Sequence, residues 1–494
     1  MIAILEKVYG LVWGVPALVL ILGVGLLLSV RTGFVQLRLF PAACRDFWRR
    51  LRHRDDAQGV SAFQALCTAL AATVGTGNLA GVAGALAIGG PGAIFWMWIC
   101  GILGMATKLA EAALAVRYRV DENGELLGGP MYMIRRGMGH RWAWLAGVYS
   151  FFGVVAAFGV GNATQIDTVI AGIDACILSF GGTPTRQGDL ILGLVMAVIV
   201  LVLLIGGAKR IGQVTEKLIP FAAAAYLLLG AVVLVLRAEA IPGAFGAIIQ
   251  GAFSPRAATG GITGSLFVTL RIGVSRGVFT NEAGMGTAGI AHGAAQVAHP
   301  VEQGLMGIME VFLDTIVICT MTALVILCSG VPIPYGVDAG IELTTAGFSA
   351  VLGDWVKVFI AVSLCLFAFA TVLGWGLYGA RCAQYLFGRE VWSRFAWLQA
   401  ITVVLGAVLE TGTLWLLAEI INALMAIPNL IALAVLSPEL CRLIHDYKRK
   451  TGRNAGGGTL CRYPLTPTAA NRPLCGNSIP LRWLRKSRER KSTI

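Results

Sequence analysis

Long runs of apolar residues, separated by short polar segments, cover most of this chain. A helix that spans the hydrocarbon core of a bilayer needs about 20 such residues. The pattern predicts an all-α integral membrane protein with about eleven transmembrane helices. The predicted helices begin near Leu11, Ala62, Ala93, Trp142, Leu190, Gln213, Gly264, Val301, Ala350, Phe395 and Thr413.

Basic residues alternate between the loops that connect these helices. Lys and Arg cluster after the first, third, fifth and ninth helices and in the tail after the eleventh, whereas alternate loops hold few. Cytoplasmic loops of membrane proteins carry an excess of Lys and Arg. The alternation fits an odd number of helices, and it predicts an N-terminus outside and a C-terminus in the cytoplasm.

The composition agrees with a lipid environment. Of 494 residues, 57% are hydrophobic and 13% are charged, against about 25% charged in soluble proteins. Mean hydropathy is +0.76. These values exclude a soluble enzyme, a disordered protein and a secreted disulfide scaffold.

The net charge of +13 is concentrated at the C-terminal end, where 13 Lys or Arg and 3 Asp or Glu follow from Glu439 onwards. We expect 451–494 to be a disordered, solvated cytoplasmic tail, with contact to anionic lipid as the alternative. No base-reading motif accompanies the charge, so we expect no nucleic-acid partner.

Cysteine and histidine give little sign of chemistry. The 11 Cys include no CxxC pair, which favours buried free thiols. The 5 His form no paired metal or nucleophile motif, and His292 and His299 are expected at the cytoplasmic interface. The pattern therefore predicts neither an enzyme nor an organic cofactor.

The second predicted helix is interrupted by a stretch of poor helix formers. Residues 71–81 read AATVGTGNLAG, and Gly, Thr and Asn disfavour a helix. A break inside a membrane leaves backbone groups that an anionic substrate and a cation can satisfy. Close helix packing through glycine is the alternative.

The seventh predicted helix holds a second interruption, SRGVFTNEAGMG, at residues 275–286. Ionisable groups inside a membrane are costly and are usually functional. Glu282 either pairs with Arg276 to close the cytoplasmic side or carries a proton.

The two interruptions lie about 206 residues apart, and each falls in the first helix of a possible five-helix unit. Units with an odd number of helices insert in opposite orientations, as in inverted-repeat transporters. We therefore expect one transmembrane transporter domain, 1–450. It comprises a first helix at about 11–30 and two inverted five-helix repeats at about 61–237 and 261–437, each with one discontinuous helix.

Several long motifs make the sequence resemble a known family. They are GTGNLAGVAGALAIGGPGAIFWMW, GMATKLAEAALAVRYR, GGPMYMIRRG, GGAKRIGQVTEKLIPF, RGVFTNEAGMGTAGIAHGAA, FAFATVLGW and NALMAIPNLIAL. Together they resemble the alanine-or-glycine:cation symporter family from the first helix to about Lys448. The resemblance implies the leucine-transporter-type fold and import of small neutral amino acids, mainly alanine and glycine, with Na⁺. It also implies the bacterial inner membrane.

The resemblance also implies a set of site residues. Residues of both interruptions, one polar residue of the fourth helix and one aromatic residue of the ninth would contact the substrate: Thr76, Gly77, Asn78, Gln165, Gly277, Phe279, Thr280, Asn281 and Trp375. The first three would meet the carboxylate, the group from 277 to 281 the amine, and Trp375 would limit size. Carbonyls and one hydroxyl would hold Na⁺, from Ala71, Val74, Phe367 and Thr371.

One departure from the family pattern leaves the coupling ion open. Ala370 stands beside the cation site where members often carry Ser or Thr, so one hydroxyl ligand is absent. The alternatives are a proton-coupled transporter of the same fold for another small solute, or a membrane receptor that senses amino acids. The partners expected are a small amino acid and the bilayer, and the oligomeric state is left open, a monomer included.

Overall fold

The computed structural model describes residues 5, 7, 8, 10, 14–52, 59–254, 265–337, 339–409 and 412–452. The predicted tail lies outside these residues from position 453 onwards. Residues 11 and 264, where two of the predicted helices begin, are outside them as well.

Twenty α-helices account for most of the described chain. They are α1 (Val15–Arg31), α2 (Val35–Arg38), α3 (Phe40–Arg52), α4 (Ala62–Thr73), α5 (Val82–Gly89), α6 (Gly92–Tyr118), α7 (Pro130–Tyr132), α8 (Ala143–Phe158), α9 (Thr164–Ser179), α10 (Arg186–Ile205), α11 (Gly207–Leu236), α12 (Ile241–Phe253), α13 (Leu266–Asn281), α14 (Thr287–Gly293), α15 (Pro300–Val311), α16 (Thr320–Ser329), α17 (Ile341–Leu352), α18 (Val356–Phe387), α19 (Val391–Val408) and α20 (Gly412–Thr451).

Shorter elements join or interrupt these helices. The π-helical segments are Gly77–Gly81, Met133–Met138, Gly159–Ala163 and Phe312–Cys319, the 3₁₀ turns are His140–Trp142 and Ala238–Ala240, and a two-stranded hairpin consists of β1 (Val120–Glu122) and β2 (Glu125–Leu127).

Eight helical segments of the described chain are long and apolar enough to cross a membrane. The bent pair formed by α4 and the segment Gly77–Gly89 gives a ninth. The predicted runs overlap helices of the described chain, with starts that differ by up to six residues, which agrees with the all-α membrane fold. The number of eleven crossings and the inverted arrangement of the two repeats stay predictions.

The apolar pattern missed helices that are too short to be spans. The helices α12 and α17 have 13 and 12 residues, well below the length on which the prediction relied. The hairpin was missed because its strands have only three residues each. These elements cap or fill the bundle.

The predicted basic loops meet one another at one end of the bundle. Val60 pairs with Ala295 in an isolated bridge, so the basic loop before α4 is joined to the segment after α14, which was not among the predicted basic loops. Glu125 of the hairpin forms ion pairs with Arg381 and, at 3.5 Å, with Arg389 at the end of α18. These contacts agree with the predicted alternation, whereas the side of the membrane that this end faces stays a prediction.

The ion pairs of the hairpin remain charged at physiological pH. Burial alone would raise the pKa of Glu125, but the hydrogen bond from Arg381 and the charges of Arg381 and Arg389 lower it below its ordinary value. The carboxylate is therefore ionised at neutral pH, where it keeps its contact between the hairpin and α18.

Glycine allows several helices to approach closely. A Cβ atom added at Gly92 of α6 would lie 2.1 Å from the carbonyl carbon of Gly251 in α12. One added at Gly273 of α13 would lie 2.4 Å from the carbonyl oxygen of Ala93. Because the obstacles are backbone atoms, no side-chain rotation relieves the clash. Packing through small residues is typical of membrane bundles.

We expect Gly92→Ala to destabilise the folded protein, because α6 and α12 would have to move apart. Overpacking of this kind costs about 1–3 kcal/mol. The measurement is the apparent melting temperature of detergent-solubilised protein, followed by fluorescence-detected size exclusion. Gly147→Ala in α8 is the matched control, since nothing lies within 4 Å of its added Cβ. Equal melting temperatures for the two variants would contradict the prediction.

Candidate functional site

The first interruption is a bend between α4 and the π-helical segment Gly77–Gly81. The helix α4 ends at Thr73, Val74 is extended, and the two parts differ in direction by 53°. The Gly75 N–H donates a hydrogen bond to Asn78 Oδ1 at 2.9 Å. A Cβ at Gly75 would lie 2.7 Å from Thr371 Oγ1, so only glycine permits this approach to α18.

The second interruption begins later than the sequence predicted. The helix α13 continues through Asn281, and the turn occupies residues 282–286, where Glu282, Gly284 and Gly286 have φ angles of 53°, 101° and 80°. The expectation of an unwound segment from residue 275 is therefore wrong. The predicted site residues at positions 277–281 lie in the last helical turn before the break.

A buried carboxylate on α6 holds the second break. Glu111 Oε1 accepts hydrogen bonds from the N–H groups of Gly284 and Gly286 and from Asn429 Nδ2, at 2.9, 3.0 and 2.8 Å. Two backbone donors freed by the break are thereby satisfied. Sequence reasoning missed Glu111, although a carboxylate inside an apolar run is a signal of function.

The two breaks contact each other. A Cβ at Gly77 would lie 3.2 Å from both Phe279 Cδ1 and Thr280 Cγ2. At this separation, a methyl group at position 77 would fit only if Phe279 and Thr280 shifted by a few tenths of an ångström. The first break and the last turn of α13 therefore pack directly together, as an inverted-repeat site requires.

Polar side chains of the π-helical segment Phe312–Cys319 connect the breaks a second time. Asn78 Nδ2 donates to Asp314 Oδ1 at 2.6 Å, and Thr315 Oγ1 donates to Asp314 Oδ2 at 2.9 Å. Asn281 Nδ2 donates to Thr315 Oγ1 at 3.0 Å. All four residues are buried. Asp314 is another carboxylate that sequence reasoning missed.

A small cavity lies where the breaks meet. The space open to the centre of a water molecule is about 20 Å³, enough for about one water. Its walls come from the end of α4 and the first break, from the segment between α8 and α9 together with α9 itself, from the end of α13 and the second break, and from α18 and α20. The lining residues are Ala72, Thr73, Gly75, Thr76, Gly77, Val160, Gln165, Phe279, Glu282, Thr371, Trp375 and Asn422.

Six of the residues implied by the resemblance line this cavity. They are Thr76, Gly77, Gln165, Phe279, Thr371 and Trp375. The others are buried around it without lining it, and they are Ala71, Val74, Asn78, Gly277, Thr280, Asn281 and Phe367. Glu282 and Asn422 line the cavity but were not among the predicted site residues.

Two aromatic side chains limit the space. Trp375 is 1% exposed, and its Nε1 donates to Glu282 Oε1 at 2.9 Å. Behind the ring, a Cβ at Gly161 would lie 2.2 Å from Trp375 Cβ. Phe279 forms another wall of the cavity. The Trp375 side chain is therefore held by a hydrogen bond to Glu282 and packs closely against Gly161.

The pairing of Glu282 with Arg276 is not observed. Glu282 instead accepts hydrogen bonds from Trp375 Nε1 and, at 2.6 Å, from Thr287 Oγ1. The left-handed turn at Glu282 directs its carboxylate toward α14 and α18, away from the helix that carries Arg276. The ion-pair interpretation is therefore wrong.

A second polar cluster joins α6, α14 and α15. Lys108 Nζ lies 2.8 Å from Glu310 Oε1, and His292 Nε2 lies 2.9 Å from Glu310 Oε2. Gln303 Nε2 is 2.6 Å from His292 Nδ1. All four side chains are fully buried, so His292 points into the bundle; its expected depth near the cytoplasmic interface stays a prediction. The pattern of apolar runs could not reveal that side chains of α6, α14 and α15 meet in one cluster.

Oxygen atoms at the first break could hold a hard cation. Thr371 Oγ1 faces Gly75, and it also donates to the carbonyl of Phe367 at 3.0 Å. Within the described ranges, no three His, Cys, Asp or Glu side chains converge as a metal site. Alkali and alkaline-earth cations bind carbonyl and hydroxyl oxygens, so such a cluster is not required.

The fold resembles that of a solved membrane transporter. The structure titled "Crystal structure of MhsT in complex with L-phenylalanine" superposes with a TM-score of 0.51 at 15% identity, over 78% of this chain and 89% of that one. This similarity confirms the leucine-transporter-type fold. A helical bundle with two broken helices around a polar cavity is an arrangement that many secondary transporters share.

The sequence comparisons identify the family. A profile described as the sodium:alanine symporter family matches residues 1–457, and the chain belongs to this family. It is 42% identical to "Sodium/alanine symporter AgcS" of Methanococcus maripaludis, over 92% of this chain and 99% of that protein. It is 35% identical to "Amino-acid carrier protein AlsT" of Bacillus subtilis, over 88% and 90%.

These findings confirm the general function. The protein is a multi-pass, sodium-coupled amino-acid symporter and not an enzyme. The family membership agrees with the expected Na⁺ coupling ion and small amino-acid substrate.

We expect Glu111→Ala to lower both thermal stability and transport, because two backbone donors and one amide lose their acceptor. Each unsatisfied buried group costs about 1–3 kcal/mol. Glu111→Gln retains a carbonyl oxygen and should keep most of the stability. The measurements are the melting temperature and amino-acid uptake in proteoliposomes. A wild-type melting temperature and wild-type uptake in Glu111→Ala would show that Glu111 does not hold the break.

Proposed function

We propose that this protein imports alanine and glycine together with Na⁺ by alternating access. The observation that carries the proposal is the small polar cavity between the two breaks, walled by Trp375 and Phe279. A cavity of about 20 Å³ must widen to admit any amino acid. A longer side chain would in addition have to displace the indole of Trp375, whereas a hydrogen or methyl side chain would not. The proposed location is the bacterial inner membrane, with the N-terminus outside and the C-terminus in the cytoplasm.

The substrate carboxylate faces the first break in this proposal. Backbone N–H groups at a broken helix, aided by the helix dipole, stabilise an anion. Thr76 and Gln165 complete this side of the cavity, and their side chains are hydrogen-bonded at 3.2 Å. Gly77 allows the backbone to approach the ligand. Asn78 supports the break from behind through its bonds to Gly75 and Asp314.

The ammonium faces the second break. Phe279 lines the cavity there, and the predicted residues Gly277, Thr280 and Asn281 hold the last turn of α13 in place. The Thr280 hydroxyl donates to the carbonyl of Gly277 at 2.9 Å. In this arrangement these three residues shape the site and Phe279 contacts the substrate.

The sodium ion lies between the first break and α18. Its proposed ligands are the carbonyls of Ala71, Val74 and Phe367 and the hydroxyl of Thr371. The support is the close approach of Gly75 to Thr371 and the preference of hard cations for oxygen. Asp314, next to Asn78, adds negative charge near this region.

One coupled charge suffices for accumulation of a neutral zwitterion. A charge that moves through 100 mV gains about 2.3 kcal/mol, and about 1.4 kcal/mol corresponds to tenfold accumulation. The proton-coupled alternative draws support from Glu282, a buried carboxylate on the cavity wall.

An imposed gradient distinguishes these alternatives. In proteoliposomes at constant pH, an inward Na⁺ gradient should drive uptake of labelled alanine, and unlabelled glycine should compete while leucine should not. Uptake driven by a pH gradient in the absence of Na⁺ would indicate proton coupling instead. Saturable binding without counterflow would indicate a receptor and would overturn the proposal.

We expect Thr371→Val to weaken sodium activation. Loss of one oxygen ligand, at about 1.4 kcal/mol, would raise the half-activating Na⁺ concentration about tenfold. Thr68→Val on α4 is the control, since this buried hydroxyl bonds to Thr215 outside the cavity. An unchanged sodium dependence in the Thr371 variant would place the ion elsewhere.

A further inference from the structure

We propose that Asn422 of α20 and the carboxylate of Glu282 together form the acceptor site for the substrate ammonium. The inference rests on the proposed function and assigns atoms to its amino end. Neither residue was predicted as a ligand from the sequence, and both line the cavity.

Asn422 presents an unused acceptor. The residue is 3% exposed, and its Oδ1 atom is buried with no hydrogen-bond partner in the part of the chain that the structure describes. Buried amide oxygens are almost always hydrogen-bonded. Because this residue borders the cavity, a donor on a bound ligand is the partner that fits.

Glu282 contributes its carboxylate oxygens to the same wall. The side chain is 4% exposed, and each carboxylate oxygen accepts one described hydrogen bond, from Trp375 or from Thr287. A carboxylate offers about four lone-pair positions, so both oxygens can still accept. A buried anion is stabilised by a cationic partner, and a substrate ammonium supplies one.

The polar side chains at the end of α13 are already engaged. Thr280 donates to the carbonyl of Gly277, and the Asn281 amide both donates to Thr315 Oγ1 and accepts from the N–H of Ala283. Neither lines the cavity. The acceptors that face the ligand space therefore come from the turn after α13 and from α20.

In this assignment, the two ends of the cavity differ in their hydrogen-bonding groups. Backbone donors lie at the first break, and acceptors lie at Glu282 and Asn422. A zwitterion in one orientation pairs its carboxylate with the donors and its ammonium with the acceptors. A ligand that has a carboxylate but no ammonium leaves the Glu282 carboxylate without a cationic partner. The site therefore selects α-amino acids over simple organic acids of the same size.

The test is a competition series in proteoliposomes. Labelled alanine uptake is inhibited by unlabelled alanine, by alaninamide, which lacks the carboxylate, and by propionate, which lacks the ammonium. Asn422→Leu should raise the inhibition constants of alanine and alaninamide at least about tenfold and leave that of propionate within twofold. Glu282→Gln should raise the inhibition constants of both amines and lower the inhibition constant of propionate.

Asn162→Leu is the matched control. Asn162 is also buried, its Oδ1 also has no partner in the described chain, and its amide donates to the carbonyl of Gln399 away from the cavity. This variant should keep the wild-type ratio between alanine and propionate. If Asn422→Leu does not fold, Asn422→Asp replaces it, because this variant keeps an acceptor. It should retain alanine binding and should be inhibited by propionate less than the wild type is.

Equal weakening of all three inhibitors by Asn422→Leu, or no weakening of alanine, would overturn the inference. The proposed function is judged separately, by wild-type uptake under a Na⁺ gradient. If the wild type takes up no alanine, thermal stabilisation of purified wild type and Asn422→Leu by a panel of small amines still tests the acceptor site. Equal stabilisation of both would overturn it.

Discussion

Backbone groups at the two helix breaks need partners inside an apolar bundle, and this requirement organises the rest of the structure. An unpaired N–H or C=O costs several kcal/mol where water is absent. Glu111 accepts from two N–H groups of the second break, and Asn78 accepts from Gly75 at the first. The helices that carry these side chains are thereby fixed in position and rotation around the cavity.

Several carboxylates are buried near the two breaks. Glu111, Glu282, Glu310 and Asp314 are buried, and Lys108 is the fully buried lysine that pairs with Glu310. Each carboxylate accepts hydrogen bonds, which reduces the cost of its burial. Carboxylate oxygens that are not saturated by these bonds can still accept, so the residues around the breaks also offer acceptors to a sodium ion and to an ammonium group.

The sequence predicted the class of fold, the first break and the presence of a second, because length of apolar runs and glycine content are local signals; the second break begins at Glu282 and not at Ser275. It failed where tertiary contacts decide. Residues 275–281 contain Gly277 yet stay helical, since that glycine packs against Cys100. The partners of His292 and the role of Asn422 depend on contacts between helices that form only in the folded protein. The spacing of residues along the chain does not predict these contacts.

Contact between the breaks also gives a physical basis for coupling. Gly75 adjoins Thr371, the proposed ion ligand, while Gly77 two residues later adjoins Phe279 on the substrate side. A ligand can shift a conformational equilibrium only through its different affinity for the two states. Because one short backbone segment contributes to both proposed sites, an ion that straightens or fixes this segment changes the geometry offered to the amino acid, and linkage requires the reverse effect to be equal.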